Sequence, residues 1–379
     1  MKIKRQFESF DFLLVILVAA VAVFGLIIIG SATRINQGFD RSVYNNQIIW
    51  IVTGIALMLL AAFIDYNFIC NFYIPIYLVN IGMLGLVLLL DRALNNVTRW
   101  LVIGGFGIQP SEFAKIFIII FMSKFIDKNK EKINNNLTLL LSAALILFPV
   151  VLIFIQPSLS ASFVVIVLGA FLLYAGGLSY KKIFITLALV LPLAAFIYMD
   201  FQSETPLLVN RVLRPYQYER VQLALNPSFD PDAYRQIQNS IHAIGSGMLT
   251  GKGLYGGAVN QAGYIYAAYS DFIISVVGEE FGFAGSIGLL TAMMLIVVRC
   301  LSIAWKAPDL CGKLLASGVA VLFFFQTFVN VGVATDLMPN TGMPFPFVSY
   351  GGSSMLVNMI AVGLVLNVKM SKSKSIFEG

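Results

Sequence analysis

The sequence predicts an all-α, polytopic membrane protein of about ten transmembrane helices with one large extracytoplasmic loop. Hydrophobic residues make up 59% of the 379 residues and charged residues only 12%, whereas soluble domains carry about 25% charged residues. Apolar runs recur along the whole chain, and no segment has the composition of a soluble domain. We therefore predict one membrane domain over residues 1–379, with the loop at residues 200–270 inside it.

Ten apolar segments have the length of membrane spans, because a helix needs about 20 residues to cross the hydrocarbon core and satisfies its own backbone groups in lipid. They are residues 12–32, 46–64, 68–90, 111–127, 138–155, 159–176, 181–199, 271–299, 311–334 and 350–369. The first segment follows basic residues, as a signal peptide does, but has no clear A-x-A cleavage pattern. We predict an uncleaved first helix.

The placement of basic residues predicts the orientation. With ten spans, both termini lie on one side, and that side collects Lys2, Lys4, Arg5, Lys124, Lys128, Lys130, Lys132, Lys181, Lys182, Arg299, Lys306, Lys313, Lys369, Lys372 and Lys374. The short loops of the other side hold only Arg34, Arg41, Arg92 and Arg99. The bias places both termini in the cytoplasm and explains the net charge of +6 without a nucleic-acid partner.

Metal and disulfide chemistry have little support in the sequence. The three cysteines, Cys70, Cys300 and Cys311, are scattered and lie near the predicted cytoplasmic face, where thiols stay reduced. His242 is the only histidine. We therefore predict no protein-built metal site.

Two motifs place charged residues beside apolar runs. In "QPSEFAKIF", Glu112 and Lys115 lie three residues apart and share a helical face. They form either a structural ion pair or the wall of a polar cavity. "IGSGMLTGKGLYGG" is not a Walker A loop, because Gly253 follows Lys252 where Ser or Thr is needed. It is either a surface turn or flexible backbone that offers N–H groups and a lysine to an anion.

Three carboxylates stand at the start of the eighth segment, "SDFIISVVGEEFG". Asp271 lies at its outer end, where it either caps the helix with Ser270 or faces an external substrate. Glu279 is about 12 Å deeper in a continuous helix, which places it near mid-membrane. Glu279 and Glu280 need partners or raised pKa values there, and a proton-coupled transporter also carries acids at this depth.

The segment "PNTGMPFPFVSYGGSS", residues 339–354, precedes the last helix on the external side. Its three prolines cannot continue a helix. Such backbone at membrane depth is tolerated only where it is buried in protein or lines a cavity. It is either a connecting loop or part of a site.

In their order, "RWLVIGGFGIQPSEFAK", "YRQIQNSIHAIGSGMLTGKG", "SDFIISVVGEEFG" and "PFPFVSYGGSS" resemble the SEDS family, which includes RodA, FtsW and SpoVE. The resemblance implies a peptidoglycan glycosyltransferase that polymerises lipid II outside the cytoplasmic membrane of a bacterium, in elongation, division or sporulation. It implies a class B penicillin-binding protein as partner. A divalent cation, Mg²⁺ or Mn²⁺, shared by Asp271 and the substrate pyrophosphate is left open.

The resemblance also implies roles for individual residues. Asp271 matches the family's essential aspartate and is expected to be the catalytic base. Substrate-binding or supporting roles fall on Glu112, Lys115, Arg220, Lys252 and Ser349. Glu279 and Glu280 are expected to be structural. The chain departs from the family pattern at Tyr266 and Ala267, where "PE" is frequent, and at Ser158, which replaces the acid of "QPDLG".

Two other functions are weighed against polymerisation. A lipid II flippase or other transporter would use Glu112, Lys115, Glu279 and Glu280 along a polar path, although the sequence shows no internal repeat of the kind that transporters carry. A scaffold would only position the penicillin-binding protein. Loss of polymerisation in an Asp271→Asn variant distinguishes the enzyme from both.

Overall fold

The computed structural model describes residues 10–34, 40–94, 99–103, 106–156, 158–203, 215–226, 228–340 and 342–375. Its fourteen α-helices confirm the predicted all-α class. The described residues hold one small sheet, in which β1 (Leu101–Ile103) pairs antiparallel with β2 (Phe106–Ile108). The basic residues at positions 2, 4 and 5, which contributed to the predicted orientation, lie outside the described residues.

Each of the ten predicted segments forms a helix. They are α1 (Phe12–Ala32), α2 (Arg41–Phe63), α4 (Tyr73–Leu94), α5 (Pro110–Lys128), α6 (Asn136–Ile155), α7 (Leu159–Ala175), α8 (Tyr180–Gln202), α12 (Ile273–Trp305), α13 (Leu310–Ala334) and α14 (Gly352–Ser375). Eight are long and apolar enough to cross a membrane. The other two are α5, which carries charges at both ends, and α7, which has 17 residues. The chain is a multi-pass membrane protein.

One predicted segment is divided in the structure. The segment 68–90 contains a break at Phe72, which separates the short helix α3 (Tyr66–Asn71) from α4. The amide oxygen of Asn367 on α14 accepts a hydrogen bond from the Tyr66 backbone N–H at 2.8 Å. This contact anchors the start of α3, and a local reading of hydropathy could not detect it.

The most buried spans are α13 and α14, whose most apolar windows are 72% and 83% buried. The helices α2 and α12 pack against them. By contrast, only 6% of the corresponding window of α8 is buried. The core is therefore built around the last two helices, and α8 stands at the periphery.

Polar contacts mark the two ends of the pair formed by α1 and α12. At one end Asp11 forms ion pairs with Arg299 at 2.7 Å and with Lys369 of α14 at 2.9 Å. At the other end the Ser31 hydroxyl donates to Glu280. The stretch of α1 between Asp11 and Ser31 measures about 30 Å, which equals the hydrocarbon thickness of a bilayer.

This register corrects the predicted depth of the two glutamates. Glu280 lies level with the Ser31 end of α1, and Glu279 is its neighbour in the chain. The prediction that Glu279 lies near mid-membrane is wrong. Helix α12 has 33 residues and a length of about 50 Å, so its first turns rise above the span and carry both glutamates with them.

The predicted loop at residues 200–270 contains helices where the structure describes it. These are α9 (Pro215–Leu225), α10 (Pro231–Ser246) and α11 (Ala258–Gln261). Helix α10 packs against α12. Residues 247–262, which we call the hook, return along the first turns of α12. Residues 204–214 of this loop lie outside the described residues.

The hook packs into a kink in α12 at Gly282, where φ is 64° and ψ is −160°. Only glycine adopts this conformation readily. The freed N–H groups of Phe283 and Ala284 donate to the carbonyls of Met248 and Leu249 at 2.9 and 3.0 Å. In return, Lys252 and Gly253 donate their N–H groups to the carbonyls of Glu279 and Glu280 at 3.0 and 2.9 Å. The kink and the hook therefore satisfy each other's backbone groups.

Candidate functional site

Asp271 lies in the turn that leads into α12, two residues before the helix begins. The hydroxyl of Ser270 donates to its carboxylate at 2.9 Å. The side-chain amide of Asn330 on α13 donates to the Asp271 carbonyl at 2.9 Å and to the Met343 carbonyl at 2.7 Å. The backbone of Asp271 is thereby held against the segment 339–354, and its carboxylate is left partly buried.

The segment 339–354 contains no helix before Gly352 in its described part, as its prolines predict. Ser349 fastens it to the Asp271 turn, because its hydroxyl donates to the carbonyl of Ser270 and accepts from the Phe345 N–H at 2.8 Å. The Tyr350 N–H adds a bond to the Tyr269 carbonyl at 2.8 Å. Ser349 is buried, and its hydroxyl supports the site through the backbone.

Two arginines stand beside the Asp271 carboxylate. A Cβ atom at Gly342 would lie 3.3 Å from both the Asp271 Oδ2 and the Arg220 Nη1, so the ends of these two side chains both lie over that glycine. Arg220 also donates to the Asn340 carbonyl at 3.1 Å. Burial raises the pKa of the Asp271 carboxyl above its ordinary value, and the Ser270 hydrogen bond and the charges of Arg220 and Arg99 oppose that rise.

A small cavity of about 40 Å³ adjoins this group. Its walls include Arg99, Glu112, Lys115, Ser158 and Gly342. Glu112 and Lys115 are buried and form an ion pair at 2.7 Å, and the second oxygen of Glu112 has no hydrogen-bond partner among the described residues. The wall holds two cations, Arg99 and Lys115, and one carboxylate, Glu112, so it carries an excess of positive charge.

Lys252 belongs to a second cluster, inside the hook. Its ammonium group pairs at 2.7 Å with Glu279, which is fully buried. Glu279 also accepts the N–H groups of Val259 and Asn260 at 2.9 and 3.1 Å. Glu279 and Glu280 therefore brace the hook against α12 and α1. The structure does not bring Lys252 to Asp271, and the substrate role predicted for this lysine stays a prediction.

The main residue that the sequence reasoning missed is Arg99. It was counted only among the basic residues of the outer loops. The signal that could have revealed it is its place at the start of "RWLVIGGFGIQPSEFAK", directly before the residues that carry Glu112 and Lys115. The antiparallel strands β1 and β2 turn the chain back between Arg99 and Gln109, and both residues line the cavity. Among the departures from the family pattern, Ser158 also lines this cavity, whereas the Tyr266 side chain is 82% exposed.

The donor set around Asp271 does not fit a resident divalent cation. In the described part of the chain no three His, Cys, Asp or Glu side chains converge as metal ligands, and the neighbours of Asp271 are guanidinium groups. The divalent cation of the sequence analysis stays a prediction about the bound substrate.

The sequence model of a family described as "Cell cycle protein", which covers FtsW, RodA and SpoVE, matches residues 11–374. The chain belongs to this family. The FtsW/RodA/SpoVE match agrees with the four motifs and with the all-α fold.

Individual relatives extend the match over nearly the whole chain. A protein of Trichlorobacter lovleyi named "Probable peptidoglycan glycosyltransferase FtsW" is 33% identical over 376 residues, which cover 96% of this chain and 94% of that protein. "Peptidoglycan glycosyltransferase MrdB" of Escherichia coli is 32% identical over 94% of this chain and 92% of that protein. A chain from a structure of a peptidoglycan synthase complex that coordinates polymerization and crosslinking superposes with a TM-score of 0.80 at 29% identity, over 96% of this chain and 98% of that one.

Proposed function

We propose that this peptidoglycan glycosyltransferase of the FtsW/RodA/SpoVE family uses lipid II as substrate and Asp271 as catalytic base. The observation that carries the proposal is the partly buried Asp271 carboxylate, which stands beside Arg220 and Arg99 at the edge of a cationic cavity. The names of the relatives support the reaction class.

The chemistry requires one base and an anion-binding wall. An acceptor sugar hydroxyl attacks the anomeric carbon of the lipid-linked donor, and its proton passes to the Asp271 carboxylate. The new glycosidic C–O bond forms as the C–O bond to the pyrophosphate breaks, with inversion at that carbon, as in the base half of an inverting glycosidase. A positioned base contributes about 10²–10⁴-fold to such a rate.

The cations beside Asp271 have a separate task. Pyrophosphate leaves as an anion and needs no strong acid, but its charge requires stabilisation. Arg220 and Arg99 stand beside the base, and Lys115 stands in the adjoining wall. We assign the pyrophosphate to these groups. Glu112 holds Lys115 in place through their 2.7 Å ion pair.

The proposal includes the location and the partner. The basic end of the bundle, at Asp11, is assigned to the cytoplasm by the positive-inside rule, so Asp271 faces the external leaflet of the cytoplasmic membrane and both termini are cytoplasmic. A class B penicillin-binding protein is the proposed partner. The complex described for the similar structure, which couples polymerization to crosslinking, supports this partner.

The test is polymerisation of lipid II by the purified protein, with and without its partner. We expect Asp271→Asn to lose at least about 100-fold in rate while it keeps the wild-type helical content and partner binding. Arg235→Gln is the matched control, because Arg235 lies in the same external segment and is 71% exposed in a surface ion pair. A near-normal glycan ladder from Asp271→Asn would refute the proposal.

The transporter alternative has less support from the structure. Glu279 pairs with Lys252 of the hook, and Glu280 accepts a hydrogen bond from Ser31 at the end of α1. The two glutamates therefore do not extend a polar path from Glu112 and Lys115 into the membrane. Headgroup translocation in liposomes that persists in Asp271→Asn would favour it. Normal growth of Asp271→Asn cells would favour the scaffold.

A further inference from the structure

A large groove opens at the basic end of the bundle, far from Asp271. It has a volume of about 660 Å³ and lies between the ends of α7 and α12 and the starts of α8 and α13. All four helix ends lie on the side of the membrane marked by the ion pairs of Asp11. Because α8 makes few contacts with the bundle, the groove faces the surrounding lipid.

The groove has an apolar interior and an aromatic rim. Leu178, Leu301 and Ala304 supply apolar wall. Tyr180 and Trp305 line the groove and are 68% and 83% exposed. Tyrosine and tryptophan at the end of a transmembrane bundle occupy the level of the lipid headgroups. The rim of the groove therefore lies at a membrane surface, and its interior lies at the depth of acyl chains.

The charge of the groove is positive. Lys313 on the first turn of α13 is exposed and lines it, and no Asp or Glu does so among the described residues. The nearest acid along the chain, Asp309, is occupied by the Tyr66 hydroxyl at 2.7 Å and by the Gly312 N–H at 2.7 Å. Basic pockets between transmembrane helices on the cytoplasmic side are typical binding sites for anionic lipid headgroups.

We propose that this groove binds one anionic phospholipid of the adjoining leaflet. Its phosphate contacts Lys313, and its acyl chains lie along Leu301 and Ala304 beneath α8. A zwitterionic lipid is a poorer occupant, because its ammonium group competes with Lys313 for the phosphate. The bound lipid fills the gap at the inner end of α8 that protein side chains leave open. The proposal does not depend on the glycosyltransferase reaction.

Native mass spectrometry of the detergent-purified chain tests the proposal. The protein is incubated with phosphatidylglycerol and phosphatidylcholine of identical acyl chains in equal amounts, and the lipids retained are compared. We expect one phosphatidylglycerol to be retained in preference to phosphatidylcholine. Lys313→Gln should lower its retention about fivefold, and excess inorganic phosphate should not displace it.

A matched control and a second variant make the outcome decisive. Lys130→Gln removes another exposed lysine at the same end but outside the groove, and it should leave retention unchanged. Leu301→Gln places an amide in the apolar wall and should weaken retention while the melting temperature stays close to that of the wild type. Equal retention of both lipids, or equal losses from Lys313→Gln and Lys130→Gln, would overturn the proposal.

Discussion

Asp271 combines two influences that act in opposite directions on its carboxyl group. Burial raises its pKa, and the Ser270 hydroxyl with the guanidinium groups of Arg220 and Arg99 limits the rise. A base works best when its pKa lies close to the working pH, provided that it stays ionised. The arginines therefore oppose the effect of burial and favour the charged carboxylate that the proposed proton abstraction requires.

The pH profile of polymerisation tests this balance. The rate should fall as the pH decreases through the Asp271 pKa, because only the carboxylate accepts a proton. Arg220→Gln removes a charge that lowers this pKa, so the acidic limb of the profile should move to higher pH, in addition to any loss of maximal rate. Arg235→Gln should leave the limb in place. An unmoved limb in Arg220→Gln would show that Arg220 does not act on the base.

The same pKa shift predicts an effect on stability. A carboxyl group whose pKa is raised by folding destabilises the folded state at pH values above its folded pKa, and this effect disappears below its unfolded value of about 3.9. Asp271→Asn should therefore melt at the same temperature as the wild type or higher at pH 7. The difference should shrink as the pH approaches 4. A lower melting temperature at pH 7 would indicate that the arginines need the carboxylate for folding.

Among the secondary elements, the hook shows how part of the long loop between α8 and α12 packs against the bundle. It replaces the backbone partners that α12 loses at Gly282, and its close approach requires residues without side chains. A Cβ atom at Gly247 would lie 1.9 Å from the carbonyl oxygen of Gly278. Backbone atoms cannot move aside as a side-chain end can, so the contact depends on glycine.

Gly247→Ala should therefore destabilise the protein by about 1–3 kcal/mol or more, as overpacking does. Gly245→Ala is the matched control two residues away on α10, because its Cβ would meet no atom within 4 Å, and alanine favours a helix by about 1 kcal/mol. Thermal unfolding of the two variants in the same detergent measures the difference. Equal melting temperatures would mean that the hook does not pack on α12 as described.

Substitution of Lys252 should have a different effect from substitution of the arginines near Asp271, because Lys252 pairs with Glu279. Lys252→Met leaves a fully buried carboxylate without its counter-ion, which is costly even though Lys252 itself is partly exposed. We expect faster proteolysis within residues 247–262 and a lower melting temperature. Any loss of activity should be no larger than the loss of folded protein. Arg220→Gln should lose activity without this proteolysis. Loss of activity in Lys252→Met at full stability would restore the substrate role that the sequence suggested.

At the scale of the whole molecule, the ion pairs of Asp11 join three spans at the basic end. Asp11 is 2% exposed and contacts Arg299 on α12 and Lys369 on α14. It also caps α1 by accepting the Leu14 N–H at 3.1 Å. The Asp11 carboxylate therefore fixes the relative positions of α1, α12 and α14. The opposite end of α12 carries the Glu280 contact, and Asp271 lies just before that end.

Removal of this carboxylate should cost more than removal of either cation. Asp11→Asn breaks both ion pairs and leaves Arg299 and Lys369, which are 35% and 33% exposed, facing each other, so it should cost about 2 kcal/mol or more. Lys369→Gln leaves the Arg299 pair intact and should cost about 1 kcal/mol, as partly exposed pairs do. Melting temperatures of the two variants give the comparison. A larger effect of Lys369→Gln would contradict the central role of Asp11.

The sequence by itself determined the all-α class and the ten helical segments, and its resemblance to the family singled out Asp271 as the acid of the proposed site. Each is local: apolar length identifies a span, prolines exclude a helix from residues 339–351, and Asp271 stands within a short motif. The motif "RWLVIGGFGIQPSEFAK" also contained Arg99, but nothing in its spacing showed that this arginine faces the carboxylate.

Only the tertiary structure decided the depth of Glu279 and Glu280, the partner of Lys252 and the position of Arg220 near Asp271. A hydropathy profile gives the length of an apolar segment along the chain. When the helix is longer than the bilayer is thick, the profile does not show which residues lie within the bilayer. Ser31 supplies that register for α12 from 249 positions away in the chain. Contacts at such separations arise when the helices pack together, so no local pattern in the sequence records them.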